Sequence, residues 1–111
     1  MTQEVIRRQS FGDVAVLSIM ISSVDGVSAT AIQDAALASE MCPITVLDFA
    51  NVSFINSAGI SALLKFVAPA HKSGNKLFAM HVSPHHQKIF KMVEMSRFMP
   101  TIEEHELAAY R

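Results

Sequence analysis

The sequence predicts an α/β fold: one domain over residues 1–111, built on a mixed, mostly parallel sheet of four to five strands covered by about four helices. Three observations predict it. The chain has 111 residues, the length of one domain and one modest core. Half of the residues are hydrophobic and only 17% are charged, a balance that a disordered chain lacks. Short runs rich in β-branched residues alternate with stripes of helical period, in the order β-β-α-β-α-β-α-(β)-α, and such alternation implies parallel strands joined by helical crossovers. Gly and Pro number four each and fall between these segments as punctuation, with no linker, repeat or low-complexity stretch.

Glu4 to Ser10, the turn Phe11-Gly12-Asp13 and Val14 to Ile21 read as a β-hairpin. Arg7, Arg8 and Gln9 make the first strand polar enough for a sheet edge. Ser22 to Gly26 is a polar break. Ser28 is an expected N-cap, and Ile32, Ala35, Ala36 and Ser39 mark one face of an Ala-rich helix. Pro43 opens Ile44-Thr45-Val46-Leu47-Asp48-Phe49, a short apolar run suited to a central strand buried on both faces. After a turn through Ala50 to Asn56, a second helix starts near Ser57. Ile60, Leu63, Leu64 and Val67 form its i, i+3, i+4, i+7 stripe. Pro69 is expected to kink or end it, although the stripe can reach His71. Lys76 to Val82 is another strand. Ser83-Pro84 supplies an N-cap followed by proline at the first helical position, and Ile89, Met92 and Val93 are expected to bury the third helix. Pro100-Thr101-Ile102 suits a short strand or turn. Glu103, Glu104 and Glu106 suit the first turn of a last short helix, where negative charge meets the positive end of the dipole.

Composition excludes several function classes. Nine basic residues against ten acidic ones leave a formal net charge of −1, so nucleic-acid binding by phosphate neutralisation is not expected. The longest apolar run, Val14 to Ile21, contains Ser18 and is far too short to span a bilayer. Met-Thr-Gln-Glu-Val-Ile-Arg-Arg has no apolar stretch after its basic pair, so no signal peptide is expected. With the lone Cys42, which fits a reducing compartment, these features lead to an expectation of a cytoplasmic domain without membrane insertion.

Enzyme chemistry finds little to work with. Cys42 has no local base, and a buried thiol at the mouth of a strand is its simpler reading. Asp48 ends an apolar strand, where it serves either as a catalytic carboxylate or, more simply, as an acceptor for N–H groups in the next turn. His85 and His86 are adjacent and diverge by about 100° on a helix, while His71, His81 and His105 are scattered. No HExxH or CxxC spacing exists, and Gly12, Gly26, Gly59 and Gly74 stand apart, so no phosphate-cradling loop forms. No catalytic residue, metal or cofactor is therefore assigned. Met80, Met92, Met95 and Met99 suit core filling, with Met95 and Met99 the two read as exposed candidates.

The stretch Val46 to Leu64 carries the most information. It reads as buried strand, tight loop and helix, with Phe54 and Ile55 anchoring the loop and one or both turned inward. Asn56 and Ser57 sit at the helix mouth, where free N–H groups gather partial positive charge. Ala58 and Gly59 are small enough to admit another molecule. Ser57 is either a plain N-cap or a phosphorylation site, where a phosphate would add roughly −1.5 to −2 charges that a helix mouth tolerates.

Here the sequence resembles the STAS-domain proteins, specifically the bacterial anti-sigma factor antagonists. Their hallmark is a strand, then a loop with Asp-Ser-Ser-Gly or Asp-Ser-Thr-Gly, then a helix. The matching residues are Asn56-Ser57-Ala58-Gly59, preceded by Val52-Ser53-Phe54-Ile55. Ser22-Ser23-Val24-Asp25 falls where the family has Gly-Glu-Leu-Asp, and Ser83-Pro84 with Ile89, Phe90 and Met92 resembles its third-helix region. The resemblance spans nearly the whole chain. It implies that Ser57 is the phosphoacceptor, and that Ser23, Asp25, Asn56, Ala58 and Gly59 contact the partner. It further implies an anti-sigma factor serine kinase as partner, bound by the unmodified protein so that a sigma factor is freed, and a PP2C-type phosphatase that resets the switch. Two departures stand out: Asn56 replaces Asp, and Ser22-Ser23 replaces Gly-Glu. Other readings are a constitutive STAS subunit of a biofilm, secretion or transport regulator, a small enzyme using Asp48 or Cys42, and an anion or nucleotide binder at the Ser57 helix mouth.

Overall fold

The computed structural model describes residues 5–37 and 43–110; Ser39 and Cys42, with the roles expected of them, lie outside the described residues. The chain opens with β1 (Ile6–Phe11) and β2 (Val14–Ile19), an antiparallel pair. Gly12 takes the first central place of their two-residue turn with φ of +59°, a conformation that glycine adopts without strain. Then come β3 (Ser23–Val24), α1 (Gly26–Leu37), β4 (Ile44–Asp48), β5 (Phe54–Ile55) and α2 (Ser57–Lys72). The chain continues through β6 (Lys76–Met80), α3 (Pro84–Met92), a 3₁₀ turn at Met95–Arg97, β7 (Thr101–Ile102) and α4 (Glu104–Leu107).

The main sheet runs β1-β2-β4-β6-β7, parallel except for the hairpin. The polar strand β1 is an edge, and β4 lies in the middle. Side chains alternate across the sheet. Leu17, Leu47, Leu77 and Ala79 face one core with Ile32 of α1, Leu63 and Val67 of α2 and Phe90 of α3. Val14, Val16, Ile44, Val46 and Met80 face the other side, where Leu107 of α4 joins them. Three helices thus cover one face, and the short α4 closes on the other.

Several expectations need correction. A second, two-stranded parallel sheet pairs Ser23 with Phe54 and Val24 with Ile55; two-residue strands have no periodicity to read. The cap of α1 is Asp25, not Ser28. Asp25 Oδ1 accepts the Ser28 N–H at 2.9 Å, and Ser28 Oγ accepts the Asp25 N–H at 2.8 Å, a reciprocal box one turn deep. α2 continues through Pro69 to Lys72, because Phe66 and Val67 before the proline and Ala70 after it pack on the core. In α3 the buried residues are His86 and Phe90, and Met92 is 81% exposed. Met95 and Met99 are fully buried, carried inward by the 3₁₀ turn after α3.

A paired helix mouth as the candidate functional site

The loop between β4 and α2 is tied down from both ends. At its start, Asp48 Oδ1 accepts the Ala50 N–H at 2.9 Å, the simpler of the two roles read for this carboxylate. Phe49 packs edge-on against Phe90 of α3, with ring centroids 5.6 Å apart. Further on, Ser53 and Phe54 both donate N–H bonds to the Ser22 carbonyl, at 2.8 and 3.0 Å, and Asn56 donates to the Val24 carbonyl at 3.1 Å. These bonds continue the β3–β5 pairing. They set the segment Ser22–Asp25 beside the segment Phe54–Gly59, which lies about thirty residues later in the chain.

The cap of α2 is Asn56. Its Oδ1 accepts the Gly59 N–H at 2.8 Å, and its carbonyl accepts the Ile60 N–H at 2.9 Å. The plain N-cap reading of Ser57 is therefore not what the fold uses. Ser57 is the first residue of the helix, is exposed, and its hydroxyl has no hydrogen-bond partner among the described residues. Positions at the first two helical residues leave N–H groups unpaired, so Ser57 and Ala58 present donors at the positive end of a 16-residue helix.

The two segments touch closely. A Cβ built on Gly26 would stand 3.7 Å from Ala58 Cβ, so the mouths of α1 and α2 lie side by side. Gly59 is buried, and a Cβ there would stand 2.6 Å from the Val24 carbonyl oxygen and 3.1 Å from Ile55 Cγ2. The close approach that Gly59 permits is thus made by this chain's own β3. Ser23, Asp25, Ser57 and Ala58 are exposed, and Asn56 is half-buried. Asp25 has its carboxyl pKa lowered, chiefly by the Ser28 N–H and then by the Ser28 hydroxyl; it stays charged beside the paired mouths. Ile55 turns inward, whereas Phe54 is 58% exposed, and Val27 in the first turn of α1 is 83% exposed. Two exposed apolar side chains thus stand beside the polar group.

Behind Ser57, a groove of about 480 Å³ runs between α2 and α3. Ile60, Leu64, Ile89 and Val93 line it, with Ser57 and Ser61 along its α2 edge. A separate polar group lies past the carboxyl ends of β4 and β6. His81 Nδ1 meets Asp48 Oδ1 at 2.8 Å, and its Nε2 lies 3.7 Å from Glu104 Oε2 of α4. Asp48 raises the His81 pKa through this hydrogen bond. His81 takes a left-handed backbone with φ of 58°. The register that sets Asp48 opposite Met80 places His81 one residue further along, a neighbourhood that no local spacing in the sequence reveals. No helix among the described residues is long and apolar enough to cross a membrane.

The STAS domain family model matches residues 3–108. No curated protein matches the sequence. Among solved structures, the chain is similar to the phosphorylated form of SpoIIAA, a Bacillus cell-fate determinant, with a TM-score of 0.67 and 16% identity over 95% of this chain and 97% of that one. It is similar also to an anti-sigma-factor antagonist (STAS) domain protein from Planctomyces limnophilus, with a TM-score of 0.71 and 19% identity over 93% and 92%. A third likeness is to murine Solute Carrier 26 family member A9, an anion transporter, with a TM-score of 0.60 and 18% identity over 76% of this chain but 14% of that one. With its mixed five-stranded sheet, its helix mouth behind the fourth strand and the family model running almost end to end, the chain belongs to the STAS domain family.

Proposed function

We propose that this protein is an anti-sigma factor antagonist whose binding is switched at Ser57. The unphosphorylated form binds an anti-sigma serine kinase and so releases a sigma factor. The kinase transfers the terminal phosphoryl group of its own bound ATP to Ser57 Oγ, the hydroxyl proton leaves, and ADP departs. A PP2C-type phosphatase hydrolyses the ester and restores the binding form. The chain itself performs no catalysis and needs no cofactor.

One observation carries the reading: Ser57 is exposed at the start of α2 while Asn56 holds the cap, so its hydroxyl can be modified without removing a bond that the fold needs. In the free protein, the helix mouth accommodates the added charge. In a complex, the partner covers Val27 and Phe54 and would have to strip water from a doubly charged phosphate beside the ionised Asp25. That desolvation disfavours the complex. A nearly complete switch needs roughly 5 kcal/mol of differential affinity. Ser23, Asp25, Asn56 and Ala58 form the polar part of the contact, and Gly59 holds its backbone in place.

Pull-downs with the cognate kinase test the proposal. Ser57→Ala is expected to stay bound, and Ser57→Asp and Ser57→Glu to be lost; equal binding by all three refutes it. A second reading, a STAS subunit that regulates a transport, secretion or biofilm complex by constitutive contact, is favoured by Asn56 standing where the antagonists carry Asp. Incubation with kinase and ATP followed by mass spectrometry separates them, since the second reading adds no phosphate at Ser57.

A further inference from the structure

A cavity of about 330 Å³ lies between α1 and α2 at the amino ends of β4 and β6, the end of the sheet away from Ser57. Thr45 of β4 and Leu77 of β6 are partners in the sheet register, and with Phe66 of α2 they are the buried residues that line it. Leu37, at the end of α1, lines it too and is 51% exposed. Two polar side chains stand on the rim, half-buried Gln33 of α1 and exposed Lys65 of α2. Lys65 forms no ion pair among the described residues, and no Asp or Glu is among the described residues that line the cavity.

Thr45 is the telling residue. It is 6% exposed, and its hydroxyl has no hydrogen-bond partner among the described residues. No fully enclosed side-chain oxygen or nitrogen among those residues lacks a partner, so this hydroxyl opens onto the cavity it lines. A hydroxyl removed from bulk water and left unpaired carries a cost that a bound polar atom relieves.

The lining selects the chemistry of an occupant. A volume near 330 Å³ is at the small end of ligand sites. A neutral hydrocarbon would leave Thr45 and Lys65 unused. A cation would meet the Lys65 ammonium with no carboxylate to offset it. An inorganic anion would leave the apolar wall bare, and a polyphosphate would find only one cation. We propose that this cavity binds a small aliphatic monocarboxylate. Its carboxylate accepts hydrogen bonds from the Lys65 ammonium and the Thr45 hydroxyl, and its hydrocarbon body packs on Leu37, Phe66 and Leu77. The site is separate from the Ser57 face and goes beyond the switch read there.

The probe is octanoate, with octanol and octylamine as uncharged and cationic controls on the same hydrocarbon. Each is titrated into the full chain, followed by amide NMR shifts and calorimetry. Octanoate is expected to saturate with a Kd of about 1 mM or tighter, and to shift Ala36, Thr45, Ala70 and Leu77. Both controls are expected to bind about tenfold more weakly, for want of a charge-assisted bond. Lys65→Met, at an exposed position, is expected to lose about tenfold in octanoate affinity and none in octanol affinity, whereas Lys65→Arg retains octanoate binding. Thr45→Val removes the unpaired hydroxyl at nearly constant shape, so it is expected to melt no lower than the parent while binding octanoate severalfold more weakly. Absence of saturable shifts overturns the inference, as does octanol or octylamine binding as tightly as octanoate. Shifts centred on other elements, or octanoate affinity indifferent to Lys65→Met or to Thr45→Val, overturn it as well. No step uses phosphorylation or a protein partner, so these titrations and the kinase assays at Ser57 can fail independently.

Discussion

Replacing Gly59 by Ala tests how the two helix mouths are held together. Two effects oppose each other. Alanine is a better helix former than glycine, by about 1 kcal/mol in a helix interior. Against this, the new Cβ would stand 2.6 Å from the Val24 carbonyl oxygen, about 0.8 Å inside the 3.4 Å at which ordinary contact begins. That oxygen belongs to backbone and already accepts the Asn56 N–H at 3.1 Å, so it cannot swing aside as a side-chain tip does. Overpacking of this kind costs about 1–3 kcal/mol, and steric conflict wins. With a fixed backbone oxygen at 2.6 Å the overpacking cost falls in the upper part of that range, about 2–3 kcal/mol, so the expected net loss is about 1–2 kcal/mol, a fall in Tm of roughly 4–8 °C for a domain near this size. Gly26→Ala is the internal control: its Cβ meets Ala58 Cβ at an ordinary 3.7 Å, so that variant should be neutral or slightly stabilising. Urea unfolding and calorimetry of both variants supply the measurement, and amide shifts at Val24 and Asn56 locate the disturbance. A Gly59→Ala protein as stable as the parent, or more stable, would refute the reasoning.

Asn56→Ala should lose about 1 kcal/mol with the cap, whereas Asn56→Asp should keep the cap and gain about 0.3–1 kcal/mol from the dipole; thermal melts that place both variants level with the parent contradict the assigned cap. The histidines give opposite pH responses. His81 has its pKa raised from 6.5 by Asp48, so its contribution is fully present below pH 6.5 and is lost as pH rises through the folded value; His81→Asn, which tolerates the left-handed backbone, should remove that loss. His86 has its pKa lowered from 6.5 by burial and then by His85, so its contribution is present above pH 6.5 and is lost as pH falls through the folded value, a loss that His86→Phe should abolish; unfolding profiles between pH 5 and 8 that do not separate in these directions overturn the assignments. Leu107→Ala should cost about 2–3 kcal/mol and expose Val14, Val16, Ile44 and Val46, read as increased binding of an apolar dye.

Most of the main sheet was legible because its elements are long enough to show a period. The hairpin, the central strand β4 and the stripe of α2 each repeat over five residues or more, and Ser83-Pro84 marks α3 chemically. The residues around Ser57 were legible as a motif. What escaped was non-local. β3 and β5 are two residues each and exist through pairing with one another, so neither announces itself. Ser28 looked like a cap because a serine before an apolar stripe usually is one; Asp25 displaced it, since its carboxylate reaches the Ser28 N–H one turn on. Met92 followed the apolar stripe on paper but points outward, as a nine-residue helix buries only its inner row. Gly59 read as an opening for a partner because openness and internal crowding leave the same mark in a sequence: a missing side chain.

The short β3–β5 ladder makes the exposed face a composite object. Ser23 and Asp25 come from one stretch of chain, Phe54 and Ser57 from another, and only the folded backbone brings them into register. A linear fragment spanning Val52 to Leu64 retains the serine and its neighbours in sequence, yet it forfeits Ser23 and Asp25. Under the proposed function, a partner that contacts both stretches would discriminate native from denatured chain.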